Sequence, residues 1–255
     1  MRVATDWRCE PAGRLTIWIV SQSYLPYYGG ITEHVWHLAE HLARRGHRVH
    51  LLTGRPLSRD LHPSDPDPPG VQVTRIGCTM RLPSHGAQAC VTFGCRWTPR
   101  LARLEPPAVV HLQSPLEPFL PLWALERIDG VKIGTFHTGG EASHWGYRRF
   151  GPWLRRSASR LRERLAVSAE AARFVADHVP GRYRIVPNGV DLSRFARPAS
   201  AGPPHGQGNP GRAAARILYV GRFDARKGLE VLLDAFQALS CEAAPSRRPH
   251  LILVG

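Results

Sequence analysis

Apolar and polar positions along this chain fall into one short plan that occurs twice. Residues 15–20 are an apolar run of strand length, residues 21–28 read as a loop, and Ile31, Val35, Leu38 and Leu42 then recur at helical spacing. Gly46 predicts the end of that helix, and residues 49–52 predict the next strand. Late in the chain the plan returns. Residues 217–220 predict a strand that stops at Gly221, and a turn carrying Arg222, Arg226 and Lys227 follows. Gly228 then admits a helix with an apolar stripe of Leu229, Leu232, Leu233 and Phe236, and residues 251–254 predict the strand after it. Two copies of strand, turn, helix and strand predict an α/β protein with two Rossmann-like domains. Ligands of such sheets sit beyond the carboxyl ends of the parallel strands.

Between the copies, residues 71–76, 108–112, 132–136, 165–168 and 184–187 predict further strands, and residues 169–178 predict a helix. Trp97, Leu101 and Leu104 predict another helix with Arg96, Arg100 and Arg103 on its polar side. Pro115 and Pro118 are expected to keep the run Q-S-P-L-E-P from continuing as sheet or helix. Residues 55–70 contain five prolines and several aspartates and predict a loop. Residues 1–14 read as a loose polar leader, and residues 197–215 have the Pro, Gly, Ala and Ser content of a linker. The expected organisation is one N-terminal Rossmann-like domain over 15–196 and the first β-α-β unit of a second domain over 216–255. That unit is smaller than the roughly 50 residues of an independent domain.

Charge narrows the class of partner. The chain has 34 Lys and Arg against 20 Asp and Glu, a net charge of +14, which favours anionic partners such as sugar nucleotides, acidic lipid surfaces or nucleic acid. No aromatic-basic recognition motif or helix-turn-helix pattern accompanies the charge, so nucleic acid is not expected. The five cysteines are odd in number and lack a C-x-x-C pair, which predicts neither a disulfide framework nor a zinc site. Asp6 and Glu10 interrupt the N-terminus, and no apolar run approaches the roughly 18 residues of a membrane span. A cytoplasmic location is expected, with peripheral contact at the inner face of the plasma membrane.

Four stretches carry candidate chemistry. The turn with Arg222 and Lys227 joins cationic side chains to the unpaired N–H groups of a helix N-terminus, a combination that traps phosphate or diphosphate. The same basic residues could simply face water. Gly29 and Gly30 let backbone amides approach a ligand, or serve a tight turn with none. His137, followed by Gly139 and Gly140, ends a predicted strand where such sheets carry out chemistry, or is a hydrogen-bonded loop histidine. Residues 148–164 hold seven arginines and one glutamate among Phe150, Trp153, Leu154 and Leu161, fitting either an anionic membrane surface or a solvated helical face. His34, His37 and His41 share a helix face, yet no H-E-x-x-H pattern is present, so they read as a solvated flank with no metal.

Five motifs in order connect these stretches: Y-L-P-Y-Y-G-G at 24–30, F-H-T at 136–138, A-V-S at 166–168, P-N-G-V-D at 187–191, and V-G-R-F-D-A-R-K-G at 220–228. The set resembles glycosyltransferase family 4, whose members have the GT-B fold, and within it is similar to the bacterial phosphatidylinositol mannosyltransferases. The resemblance covers most of the chain from residue 15 onward. It implies retaining transfer of a sugar, such as mannose or glucose, from a nucleotide diphosphate donor to a lipid or glycan hydroxyl, without a metal or other cofactor. By matched motif, Gly29, Gly30 and Gly221 would approach the donor, Arg222 and Lys227 would neutralise the departing diphosphate, and His137 would touch the donor sugar without acting as a general base. The family carries a pair of glutamates further along its second domain that this sequence does not reach. A C-terminally truncated enzyme is therefore expected, or, as the alternative, an inactive module that binds an anionic acceptor or membrane surface.

Overall fold

The computed structural model describes residues 13–57, 66–84, 87–96, 98–137, 144–192, 215–221, 223, 227–243 and 248–255. Most of the expected leader, most of the linker and Arg222 lie outside the described residues. Packing divides the chain into two compact units, Met1–Leu82 with Ala89–Gly189, and Pro83–Gln88 with Val190–Gly255.

The first unit is built on a parallel sheet. Its elements run β1 (Thr16–Val20), α1 (Gly30–Arg44), β2 (Arg48–Gly54), β3 (Val71–Ile76), β4 (Cys78–Ser84), β5 (Ala87–Phe93), α2 (Pro99–Ala102), β6 (Val109–Gln113), α3 (Leu120–Arg127), β7 (Val131–Phe136), α4 (His144–Ala158), β8 (Glu163–Ala166), α5 (Ala169–His178) and β9 (Arg184–Ile185). Seven strands pair in the order β3-β2-β1-β6-β7-β8-β9, with β4 and β5 forming a separate two-stranded sheet. The order reverses at β1, which pairs in parallel with β2 on one edge and β6 on the other. Such a reversal opens a crevice at the strands' carboxyl ends.

Burial explains why β1 is apolar from Ile17 to Val20. Successive side chains of a strand point to opposite faces. Ile17 and Ile19 pack with Val35 and Ala39 of α1, whereas Trp18 and Val20 pack with Leu120 and Leu125 of α3 and Val175 of α5. A strand covered by helices on both faces favours apolar side chains at successive positions, and the one polar residue of β1, Thr16, donates its hydroxyl to Glu105 at 2.7 Å. The indole N–H of Trp18 donates to the backbone oxygen of Glu105 at 3.1 Å, so even this large core residue leaves no orphan donor. α1 stops where the sequence predicts, because Gly46 takes a φ of 88° and its N–H donates to the Ala43 carbonyl at 2.9 Å.

Three local readings need correction. Of the helix expected around Trp97, Leu101 and Leu104, Trp97 lies outside the described residues and the described part is the four residues of α2, capped by the Thr98 hydroxyl, which accepts from the Leu101 N–H at 3.3 Å. Pro118 and Pro121 flank the start of α3, an unexpected helix; proline suits the first helical turn, whose N–H groups have no partner to lose. The β4 and β5 pair was also not foreseen. Thr79 and Thr92 join it by a hydroxyl hydrogen bond of 2.9 Å.

In the second unit, β10 (Arg216–Val220) and β11 (His250–Val254) pair in parallel over five residues, connected by α6 (Leu229–Glu242). Gly228 caps α6 in the left-handed conformation with a φ of 65° that glycine adopts without strain. No residue of α6 is buried. Among the described residues, no helix is long and apolar enough to cross a membrane.

Candidate functional site

The crevice of the first unit is built from three strand ends and one helix start. The loop leaving β1 is pinned at several points. The buried Tyr24 hydroxyl reaches Asp67 at 3.3 Å, Arg75 donates to Asp67 at 3.1 Å, and the Thr32 hydroxyl donates to the Tyr27 backbone oxygen at 2.6 Å. Burial, with the Asp67 carboxylate beside it, pushes the Tyr24 phenol above its ordinary pKa. A loop held this way fixes the entry into α1.

That entry is unusually open. Gly29 is the N-cap of α1 and provides no side-chain cap, and Gly30 is the first helical residue. Gly29 has an extended backbone with φ 169°, and a Cβ added at either glycine meets no atom within 4 Å. Neither the turn nor the surrounding chain therefore demands glycine at these positions. The first N–H groups of a helix carry partial positive charge and lack intrahelical partners, so the site offers an anion a close approach to backbone.

One helical turn beyond Gly30, His34 reaches across to the end of β7. Its ring lies 5.1 Å from that of His137, edge-on at 67°. The Nε2–H of His137 donates to Gln113 Oε1 at 2.7 Å, which leaves Nδ1 as the acceptor of a neutral imidazole. Burial, reinforced by the charges of His34 and His111, pushes His137 down to about 3. His111, bonded to the Thr135 hydroxyl at 2.7 Å, falls to about 4 for the same reasons, burial first and His34 second. Burial also lowers His34. Among the described residues, His34 Nε2 and the Nε2 amide of the buried Gln113 have no hydrogen-bond partner. Unpaired buried polar atoms are costly, and a polar ligand would satisfy them.

Below this cluster, the Gln22 amide donates to Glu117 Oε2 at 2.8 Å, while Gln22 Oε1 accepts from the Thr92 N–H at 3.4 Å. Burial raises the Glu117 carboxyl against the opposing effect of the Gln22 hydrogen bond. Gln22, Gln113, Glu117, His34 and His111 were not singled out for this crevice by the sequence reading. A signal existed for two of them: Gln22 and Gln113 are polar residues at the carboxyl ends of apolar strands, as His137 is. The expected solvated histidine face is divided. His34 turns into the crevice, whereas His37 and His41 group with Glu40.

The remaining candidates belong to the second unit. Gly221 follows β10 directly and its N–H donates to the Val254 carbonyl at 2.9 Å, so this amide is engaged by the sheet. Lys227 is exposed one residue before the α6 cap. Arg222, Arg226, Gly139 and Gly140 lie outside the described residues. A cavity of about 450 Å³ lined by Arg14, His47, Arg48 and Glu105 opens at the opposite, amino end of the strands, away from the crevice. Within the arginine-rich stretch, Leu154 and Leu161 are buried while Phe150 and Trp153 are 45% and 50% exposed. Arg160 pairs with Glu126 at 3.1 Å, and Arg164 donates to the carbonyls of Ala158 and Pro180, so the arginines of this stretch do not all face solvent.

Comparison with known proteins gives the arrangement a context. A family model described as Glycosyltransferase Family 4 matches residues 28–194. The phosphatidyl-myo-inositol mannosyltransferase of Mycobacterium leprae is 33% identical over 212 residues, covering 81% of this chain and 52% of the relative. A GDP-mannose-dependent alpha-mannosyltransferase of Mycolicibacterium smegmatis is 31% identical over 184 residues, covering 69% and 48%. The chain thus spans about half the length of the curated relatives it matches. In fold, it is similar to sucrose-phosphate synthase from Thermosynechococcus elongatus, with a TM-score of 0.58 at 19% identity, over 95% of this chain and 62% of the other. A glycosyltransferase from Rickettsia africae has the same TM-score at 17% identity, over 96% and 61%.

Proposed function

The chain belongs to glycosyltransferase family 4, and from that premise we propose that it contributes to moving a sugar from a nucleotide diphosphate donor to an acceptor hydroxyl, with retention at the anomeric carbon. The bond between that carbon and the diphosphate breaks as the bond to the acceptor oxygen forms. Negative charge grows on the departing diphosphate, and fixed dipoles and cations in a closed cleft stabilise it most. The observation that carries the reading is the start of α1: an uncapped helix opening with two glycines that the chain's own packing does not require. The diphosphate is assigned to this helix start, and Arg222 and Lys227 are assigned by matched motif to the charge that grows on it. Transfer proceeds without a metal in this reading, because those cations supply the positive charge.

His137 is assigned to the donor sugar as a hydrogen-bonding contact rather than as a base. An imidazole held down to about 3 is a weak proton acceptor, whereas its Nδ1 lone pair still accepts from a sugar hydroxyl. Mannose is the favoured sugar, supported by the names of the mannosyltransferase relatives, and an inositol lipid is the favoured acceptor on the same ground. The acceptor is assigned to the loop of residues 24–30. Peripheral contact with an anionic cytoplasmic membrane surface is assigned to α4, where Trp153 and Phe150 stand exposed among arginines. The test is release of nucleoside diphosphate from GDP-mannose and from other sugar nucleotides, with and without phosphatidylinositol vesicles. Lipid-stimulated release with the sugar recovered on lipid supports the reading. Salt-sensitive vesicle binding with no sugar transfer would favour a non-catalytic lipid-binding module.

A further inference from the structure

A second cluster lies further along α1, on turns the donor reading does not use. His37 and His41 are one turn apart on the same helix face, and Glu40 is beside them. One donor atom from each of the three lies within 4.8 Å of the others. Glu40 is 8% exposed, and its two oxygens are divided: Oε1 accepts from Arg44 at 2.7 Å, while Oε2 lies 3.7 Å from His37 Nδ1. A carboxylate oxygen between two imidazoles matches the donor set that zinc accepts from His and Glu side chains.

The outer partners support the same assignment. His41 Nδ1 lies 2.8 Å from the His37 backbone oxygen, so its N–H donates there and Nε2 keeps the lone pair. Glu33 Oε2 lies 3.5 Å from His37 Nε2, which favours a proton on that nitrogen and a lone pair on Nδ1. Ligating imidazoles commonly carry a carbonyl or carboxylate on their second nitrogen, which orients the ring. Arg44 holds Glu40 in the same way. We propose that His37, Glu40 and His41 form a binding site for one borderline divalent transition-metal ion, Zn²⁺ being the best match, with water completing the coordination. At about 1.5 Å per residue, even the nearest ligand, His37, is roughly 10 Å along the helix from Gly30, so the ion takes no part in sugar transfer. It clips two turns of the helix that opens the crevice, and it raises the stability of the native state by binding it selectively.

The experiment uses the full chain stripped of metal and titrated with ZnCl₂ by calorimetry, then with Co²⁺ followed by visible absorption. The expected result is one saturable site, a rise in Tm on adding Zn²⁺, and Co²⁺ bands characteristic of nitrogen and oxygen ligands. Affinity is expected to fall at least tenfold in His37→Ala and in His41→Ala, and severalfold in Glu40→Gln, while the exposed His250→Ala is unchanged. Equal titration of the wild type and both histidine variants would overturn the site. So would the absence of a Zn²⁺-dependent Tm shift, leaving only an ion-pair cluster of imidazoles and carboxylates.

Discussion

The imidazoles of His34 on α1 and His137 at the end of β7 meet edge-on with ring centroids 5.1 Å apart, joining the second turn of the helix to the strand end that faces it. With His111 they form a group in which each added proton opposes the next. Folding holds His137 down to about 3 and His111 to about 4, burial being the larger cause and neighbouring imidazole charge the smaller. An unfolded histidine titrates near 6.5, so between these values the unfolded chain binds more protons than the native one. Unfolding free energy therefore rises with pH across this window. The contribution is fully present above about 6.5 and is lost as pH falls through the folded values, by on the order of a few kcal/mol. Urea denaturation at pH 7.5 and 4.5 should show that loss, and His111→Gln should reduce it. Equal stability at both pH values would contradict a neutral buried cluster.

Gly30→Ala separates a ligand-driven glycine from a turn-driven one. Because an added Cβ meets nothing within 4 Å, alanine is expected to stabilise the fold by about 0.4–1 kcal/mol, through lower unfolded-state entropy. The same methyl would occupy the approach to the helix N-terminus, so binding of a sugar nucleotide should weaken at least tenfold. Chemical denaturation and donor titration on one preparation read both effects. A destabilised variant with unchanged donor affinity would assign the glycine to the turn alone.

The central architecture was legible because a parallel strand buried on both faces reads as a continuous apolar run, as β1 does from Ile17 to Val20. α1 was equally plain, since its stripe of Ile31, Val35, Leu38 and Leu42 covers one face of the sheet. α3 was hidden because its first turn contains Pro121, and proline looks the same in a loop as at a helix start. The crevice was half legible. Gly29, Gly30 and His137 announce themselves by residue type, whereas Gln113 and Glu117 gain meaning only from pairing across strands 24 residues and a loop 95 residues apart in sequence. His34 shows the limit of helical periodicity: it shares a sequence spacing with His37 and His41, yet one ring turns toward β7 and the others toward Glu40.

Lys227 is exposed at the entry to α6, one residue before the left-handed Gly228 cap. A side chain in that position contributes little to packing, so Lys227→Ala should leave the unfolding free energy within about 0.5 kcal/mol of the wild type's. If it faces the departing diphosphate, its loss should lower turnover of a sugar nucleotide by roughly 10²-fold or more, the scale seen when one preorganised donor to a developing anion is removed. Steady-state release of nucleoside diphosphate measures this. Unchanged turnover would reject the cationic turn as part of the machinery.

Glu117 tests whether the crevice floor is held by hydrogen bonding or by charge. The Gln22 side chain is buried, and its amide donates to Glu117 at 2.8 Å. Glu117→Ala removes that acceptor and leaves a buried N–H unpaired, a loss of about 1–3 kcal/mol. Glu117→Gln keeps an oxygen in the same place while removing a carboxyl whose ionised form burial disfavours. With the folded pKa raised, the native state holds its proton to higher pH than the unfolded chain does. The ionised carboxylate then lowers native stability as pH rises through the folded value. The amide variant lacks this loss, so its urea midpoint at pH 7.5 should equal or exceed the wild type's, with the alanine variant well below both. A glutamine variant as unstable as the alanine one would mean that the carboxylate charge itself holds Gln22 in place.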